Sequence, residues 1–171
     1  MHSNPMPPEE FLGMFFGFAV ALFGTVALLR KAQGLPFFQP KVAGVELREN
    51  WVSGRSSRGL LAVMSNANNC LWFMVTGDLF KVGTHFPFNL FLPGFMVRFD
   101  VDIPLEAITN VEEKSRFLSG KWVRVAYEHA DRDGRPKSAW IELRPRTGHA
   151  LLEVLRGKAR DARARAGKSF G

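Results

Sequence analysis

Residues 97–111 read VRFDVDIPLEAITNV. Over Val97–Ile103 the apolar Val97, Phe99, Val101 and Ile103 alternate with Arg98, Asp100 and Asp102. An extended chain with that period sends one row of side chains into a core and leaves the other row in water. The same alternation returns in Lys121–Glu128, where Val123, Val125 and Tyr127 share one side and Trp122, Arg124 and Ala126 the other. The IPLEAITNV segment, residues 103–111, is expected to connect two strands.

Working outward, strand-like runs follow one another between turn signals: VELRENWV (45–52), RGLLAVMS (58–65), LWFMVT (71–76), LFKVGT (79–84), VRFDVDI (97–103), KWVRVAY (121–127) and SAWIELR (138–144). Gly77-Asp78 suits one hairpin turn, and Asp133-Gly134 with Pro136 suits another. The final segment changes to helical spacing. Thr147 is a candidate N-cap, and Ala150, Leu151, Val154 and Leu155 make one apolar stripe, which predicts a helix from 148 to the low 160s. The expected class is therefore mainly β (α+β), with seven strands and a closing helix.

Before the strands stands FLGMFFGFAVALFGTVALL, residues 11–29, nineteen residues without a charge. As a helix it extends roughly 28 Å, close to the ~30 Å hydrocarbon core of a bilayer. No polar face interrupts it, as a helix at the surface of a soluble core would require. A cleaved secretory signal calls for a basic amino-terminal region, whereas MHSNPMPPEE carries Glu9, Glu10 and no Lys or Arg. A transmembrane helix is expected. The division that follows is a tail at 1–10, the helix at 11–29, a Gly/Pro-punctuated linker at 30–44, a domain at 45–158 and a basic tail at 159–171.

All 23 Lys and Arg follow residue 29, and only two of the 16 acidic residues precede it, so the part beyond the helix carries +9. Arg30 and Lys31 sit directly at the helix exit. The positive-inside bias then places the amino terminus outside and the domain in the cytoplasm, at the cytoplasmic (inner) membrane. Basic charge next to a bilayer favours anionic headgroups, and the tether makes nucleic acid the less economical partner. A single cysteine, Cys70, excludes an internal disulfide framework and a Cys/His zinc cluster.

Seven short strands, the isoleucine-proline-leucine junction of residues 103–105 and the closing amphipathic helix together resemble bacterial members of the pleckstrin-homology-like superfamily, including GRAM-type domains. The resemblance covers roughly residues 45–158 and implies a bent seven-stranded barrel capped at one end by the Leu151, Val154, Leu155 helix. It also implies that the loop between the first two strands offers basic residues to a phosphate. The matching loop here is SGRSSRG, with Arg55 and Arg58.

Motifs for chemistry are sparse. GRSSRG lacks the Gly-Lys-Ser/Thr ending of a phosphate-binding P-loop. Asp131 and Asp133 start like a calcium loop, but Arg135 occupies the next ligand position, and a hairpin turn explains them better. Asp100 and Asp102 share a strand face and are expected to be solvated rather than metal-bound. His85 and His129 sit in no catalytic or ligand motif, and Cys70 has no neighbouring base. No catalytic residue, cofactor or metal is expected.

Contact surfaces are easier to name. THFPFNLFLPG, residues 84–94, concentrates apolar side chains; if extended, it places Phe86, Phe88, Leu90 and Leu92 on one side, free to cover the domain or to meet a membrane or partner. The basic end contributes Arg160, Arg163, Arg165 and Lys168. Trp122 and Trp140 fall on the polar side of their strands, where stacking with arginine is expected. Gly13, Gly17 and Ala21 make a small-residue stripe suited to helix packing, with a membrane-protein partner or a second copy of the chain. The expected function is a non-catalytic membrane-anchored binding module contacting anionic lipid, a membrane protein or both. Its alternatives are an accessory subunit recognised through its helix, and an enzyme with a dispersed active site.

Overall fold

Phe99, Val101 and Ile103 point into a core while Asp102 remains exposed, as their alternation requires. The fold is that of a computed structural model, which describes residues 7–35, 38–58, 66–91, 99–116, 120–131 and 133–168. The chain runs through α1 (Pro8–Ala32), β1 (Leu47–Ser56), β2 (Ala67–Val75), β3 (Leu79–Thr84), a single-turn α2 (Phe88–Phe91) and β4 (Val101–Pro104). A 3-10 turn (Leu105–Ala107) leads into β5 (Ile108–Arg116), β6 (Gly120–Ala130), β7 (Pro136–Arg144) and α3 (Gly148–Lys168). Two compact units result, Met1–Phe37 and Phe38–Gly171.

In the first unit, α1 is long and apolar enough to cross a bilayer by length and composition. Glu9 and Glu10 lie in its first turn and Arg30 and Lys31 in its last, each complementing the helix dipole. Its large side chains face outward, with Phe16, Phe18, Val20 and Leu28 each more than 60% exposed. The helix closes on Gly34, whose φ of 68° lets the Leu35 N–H donate to the Arg30 carbonyl at 3.0 Å.

The second unit is one antiparallel sheet in the order β4-β3-β2-β1-β7-β6-β5. It is open, with β4 and β5 as its edges. β1 joins its halves: Leu47–Gly54 pair with β2, and Ser53–Ser56 pair with β7. The crossover is tight at Gly54, where any Cβ would collide with the Leu71 and Leu143 side chains. α3 packs on the 3-10 turn, β5 and β6, and buries Leu151, Leu152, Leu155, Ala159 and Ala162 in the core with Phe73, Phe80, Val125 and Ile141.

Among the described residues the strands number seven, as expected, but their identity differs. Residues 59–65 of the expected second strand lie outside the described residues. The seventh strand is instead β5, Ile108–Arg116, within the stretch taken as a connection. Its alternation is broken by a register shift between Ile108 and Asn110, which hides the period from a reading of the sequence. α3 also outruns expectation, because Ala159 and Ala162 continue the buried stripe and keep residues 159–168 helical. Thr147 does precede this helix, yet its hydroxyl is turned to Glu49 Oε2 at 2.6 Å. The Glu49 carboxylate also accepts the backbone N–H groups of Arg146 and Thr147, which places an acid at the start of α3.

Candidate functional site

β1 carries an irregularity where its pairing with β2 skips from Asn50 to Val52. Trp51, the residue left over, has φ of 61°, and its indole is 54% exposed. A left-handed backbone costs roughly 1–2 kcal/mol at a residue with a Cβ, so the fold spends stability to turn this ring outward. The indole stacks on the His85 imidazole with centroids 4.3 Å apart and planes at 19°. His85 is set by its own N–H, which donates to the Cys70 carbonyl at 2.8 Å. Burial, and secondarily the Arg48 charge, hold this imidazole below the ordinary histidine value, so it is neutral at pH 7.

The segment after His85 is not extended. A cis Phe86–Pro87 bond precedes α2, and the Asn89 N–H donates to the His85 carbonyl at 3.0 Å, closing a helical turn that starts at proline. Asn89 is buried, while Phe86 and Phe88 are exposed, and Phe38 meets Phe86 with ring centroids 5.3 Å apart. Leu90 is part of the α2 turn, and Leu92 lies outside the described residues. Beyond α1, the large hydrophobic side chains that are exposed among the described residues are Phe38, Trp51, Phe86 and Phe88. Trp51 on His85, Phe86 beside it in sequence with Phe38, and Phe88 two residues further on are treated together as an aromatic ridge.

Arg55 and Arg58 are separated by the end of β1. Arg55 is a strand residue, registered against the buried Glu142 of β7 and half-buried itself, since Ser53–Ser56 pair with β7 instead of forming a loop. Arg58 follows the strand, its N–H donating to the Ser56 hydroxyl at 3.1 Å. Its guanidinium faces Tyr127 and His129. Burial pushes the Tyr127 hydroxyl up, with Arg58 acting in the opposite sense, and the phenol oxygen has no hydrogen bond of good geometry among the described residues. Burial and the Arg58 charge together hold the His129 imidazole down. The corner is thus a cation beside a phenol and a neutral imidazole, a donor set suited to an anion.

The basic end is a helix face. Arg160, Arg163 and Arg165 are exposed on α3, with the Arg163 Nε–H donating to the Ala159 carbonyl, and Lys168 is the last residue of α3. Arg156 donates to the Val111 carbonyl of edge strand β5 at 2.8 Å. A polar cavity of about 140 Å3 lies between β5 and α3, flanked by Asn110, Arg156 and Arg163.

Other candidates are absorbed by structure. Asp102 pairs with Lys81 at 2.5 Å, and Asp100 accepts the Thr84 N–H at 3.1 Å. Asp131 accepts the N–H groups of Asp133 and Arg135, shaping the β6–β7 turn at left-handed Gly134. No group of three or more His, Cys, Asp or Glu side chains is placed to hold a metal among the described residues. Cys70 is buried, and burial pushes its thiol up, away from reactivity. The tryptophans stack as expected: the Arg124 guanidinium lies 4.5 Å over Trp140, and that of Arg144 lies 5.9 Å from Trp122. On α1, a Cβ added at Gly13 or Gly17 would meet open space.

Trp51 and Phe38 were not singled out by the sequence reading. The signal for Phe38 was present, in two phenylalanines within a linker; nothing in ENWVS announces a bulge. Comparison with known proteins adds little. No protein-family model matches the chain, and no curated protein matches it. Among solved structures, a chain of "The 8S snRNP Assembly Intermediate" is similar, with a TM-score of 0.43 and 10% identity over 74% of this chain and 87% of that one.

Proposed function

We propose that the chain is a single-pass membrane-anchored binding module with a pleckstrin-homology-like domain, which contacts anionic lipid or a membrane-protein partner and catalyses nothing. The amino terminus lies outside and the domain in the cytoplasm. The observation that carries this reading is α1: an uncharged span between Glu10 and Arg30, its large side chains turned outward, and basic residues at its exit. Seven antiparallel strands with α3 packed on their core support the domain assignment. Arg58 beside Tyr127 and His129, with the arginines of α3, supplies the cationic contact.

The lipid part is tested by reconstituting the full chain in vesicles that mix neutral and anionic lipid, excising it in polymer discs and weighing the lipid carried along. Anionic lipid above its bulk share, declining as salt rises and after Arg58→Glu with Arg160→Glu and Arg163→Glu, is the expected result. A bulk share at all salt concentrations would contradict it. The open Gly13 and Gly17 face of α1 favours a second reading, an accessory subunit recognised through its helix. Replacing α1 by an unrelated span separates the two: assembly is lost in the subunit reading, and lipid enrichment survives in the binding-module reading.

A further inference from the structure

The aromatic ridge is not explained by the fold. Soluble surfaces scatter large apolar side chains singly, whereas here the exposed Trp51 stacks on His85, the next residue Phe86 packs on the exposed Phe38, and Phe88 is exposed two residues further on. Trp51 reaches solvent through a backbone conformation that a tryptophan rarely adopts, at a register shift where the β1–β2 pairing skips from Asn50 to Val52. The ridge offers rings with a polar edge and a neutral histidine, and Arg48 is adjacent, hydrogen-bonded to Gln39 at 2.7 Å. That combination of indole, phenyl and guanidinium is the composition favoured at the headgroup level of a bilayer.

Chain length argues for the same occupant. Phe38 is six residues beyond Ala32, the last residue of α1. Six residues fully extended cover at most about 20 Å, so a span placed in a membrane keeps Phe38, and with it the ring of Phe86, within reach of that membrane's surface. A partner in solution has no comparable claim on this patch, because the tether raises the effective concentration only of what lies in the membrane, of which lipid is the most abundant.

We propose that Phe38, Trp51, Phe86 and Phe88 form a wedge that lies in the headgroup zone of the bilayer holding α1, giving the domain a second point of attachment besides its tether. This rests on α1 spanning the membrane. The wedge limits rotation of the domain about the linker, and so presents a fixed face of the domain to whatever it binds.

The test uses the full chain in phosphatidylcholine/phosphatidylglycerol vesicles carrying brominated acyl chains, with tryptophan emission as the readout. Trp72 and Trp122 are buried and Trp140 is half-buried under the Arg124 guanidinium, so Trp51, 54% exposed, is the indole most open to bromine. Bromine near the headgroup should quench the wild type more than bromine deep in the chain, and Trp51→Phe should remove most of the quenchable emission. Phe86→Asp, which leaves Trp51 in place, should lower quenching at least twofold with the remaining emission unchanged. Protein that floats with the vesicles yet shows the same fractional quenching in wild type and Trp51→Phe overturns the wedge alone. So does a Trp51 shielded from bromine at every depth, the result expected if a protein partner or second copy covers the ridge. Protein that fails to float removes the membrane-spanning reading, and the wedge with it.

Discussion

Arg124 reaches the fully buried Glu142 with Nη2 at 2.6 Å and Nε at 2.8 Å while lying over the Trp140 ring. Removing the guanidinium takes two charge-assisted hydrogen bonds from a buried carboxylate, so Arg124→Ala should cost about 3 kcal/mol in denaturant unfolding of the full chain in detergent. A loss near zero would mean that Glu142 is satisfied without it. Gly83 is equally demanding, since the Trp72 ring lies where its Cβ would be; Gly83→Ala should cost about 1–3 kcal/mol by overpacking. Two histidines set a pH dependence. His85 and His129 both titrate below the ordinary value of 6.5, so the unfolded chain binds their protons more readily than the folded one. Their contribution to stability is complete above about 6.5 and is lost as pH falls through the folded values. The melting temperature should therefore decline from pH 7.5 to pH 5.5, and less steeply in a His85→Gln variant.

Among the elements, α3 has the most to lose. Leu155 is fully buried against the sheet, and Leu155→Ala should cost about 3 kcal/mol by the same unfolding measurement. This helix was legible in the sequence because Leu151 and Leu155 recur at helical spacing; its last turns were not, because alanine at 159 and 162 marks a buried stripe only once a partner surface is known. The strands divide in the same way. Val123, Val125 and Tyr127 announce β6 by strict alternation, whereas β5 hides behind the register shift at Ile108–Asn110 and the charged run Glu112–Lys114. The candidate site was partly legible. Phe86 and Phe88 were marked by composition, and Arg58 by the loop that a pleckstrin-homology-like domain would use. Arg55 was displaced into β1 by pairing with β7, and Trp51 became a surface feature only through a bulge, which depends on how two strands meet and not on local propensity.

At the scale of the whole molecule, a basic domain is joined to an apolar helix by a few residues rich in glycine and proline. Water solvates α1 poorly, because most of the large apolar side chains along it are exposed and it is long and apolar enough to cross a bilayer. Acyl chains solvate it well. The domain would then search a surface in two dimensions, and weak contacts at Arg58, along α3 and at the aromatic ridge would act together through the shared tether. The most direct test is alkaline carbonate extraction of membranes containing the native chain, read with an antibody to the carboxyl-terminal helix. The account predicts an intact chain that stays in the sedimented membrane and is released only by detergent. Recovery in the supernatant, or in a form shortened by the first thirty residues, would contradict it.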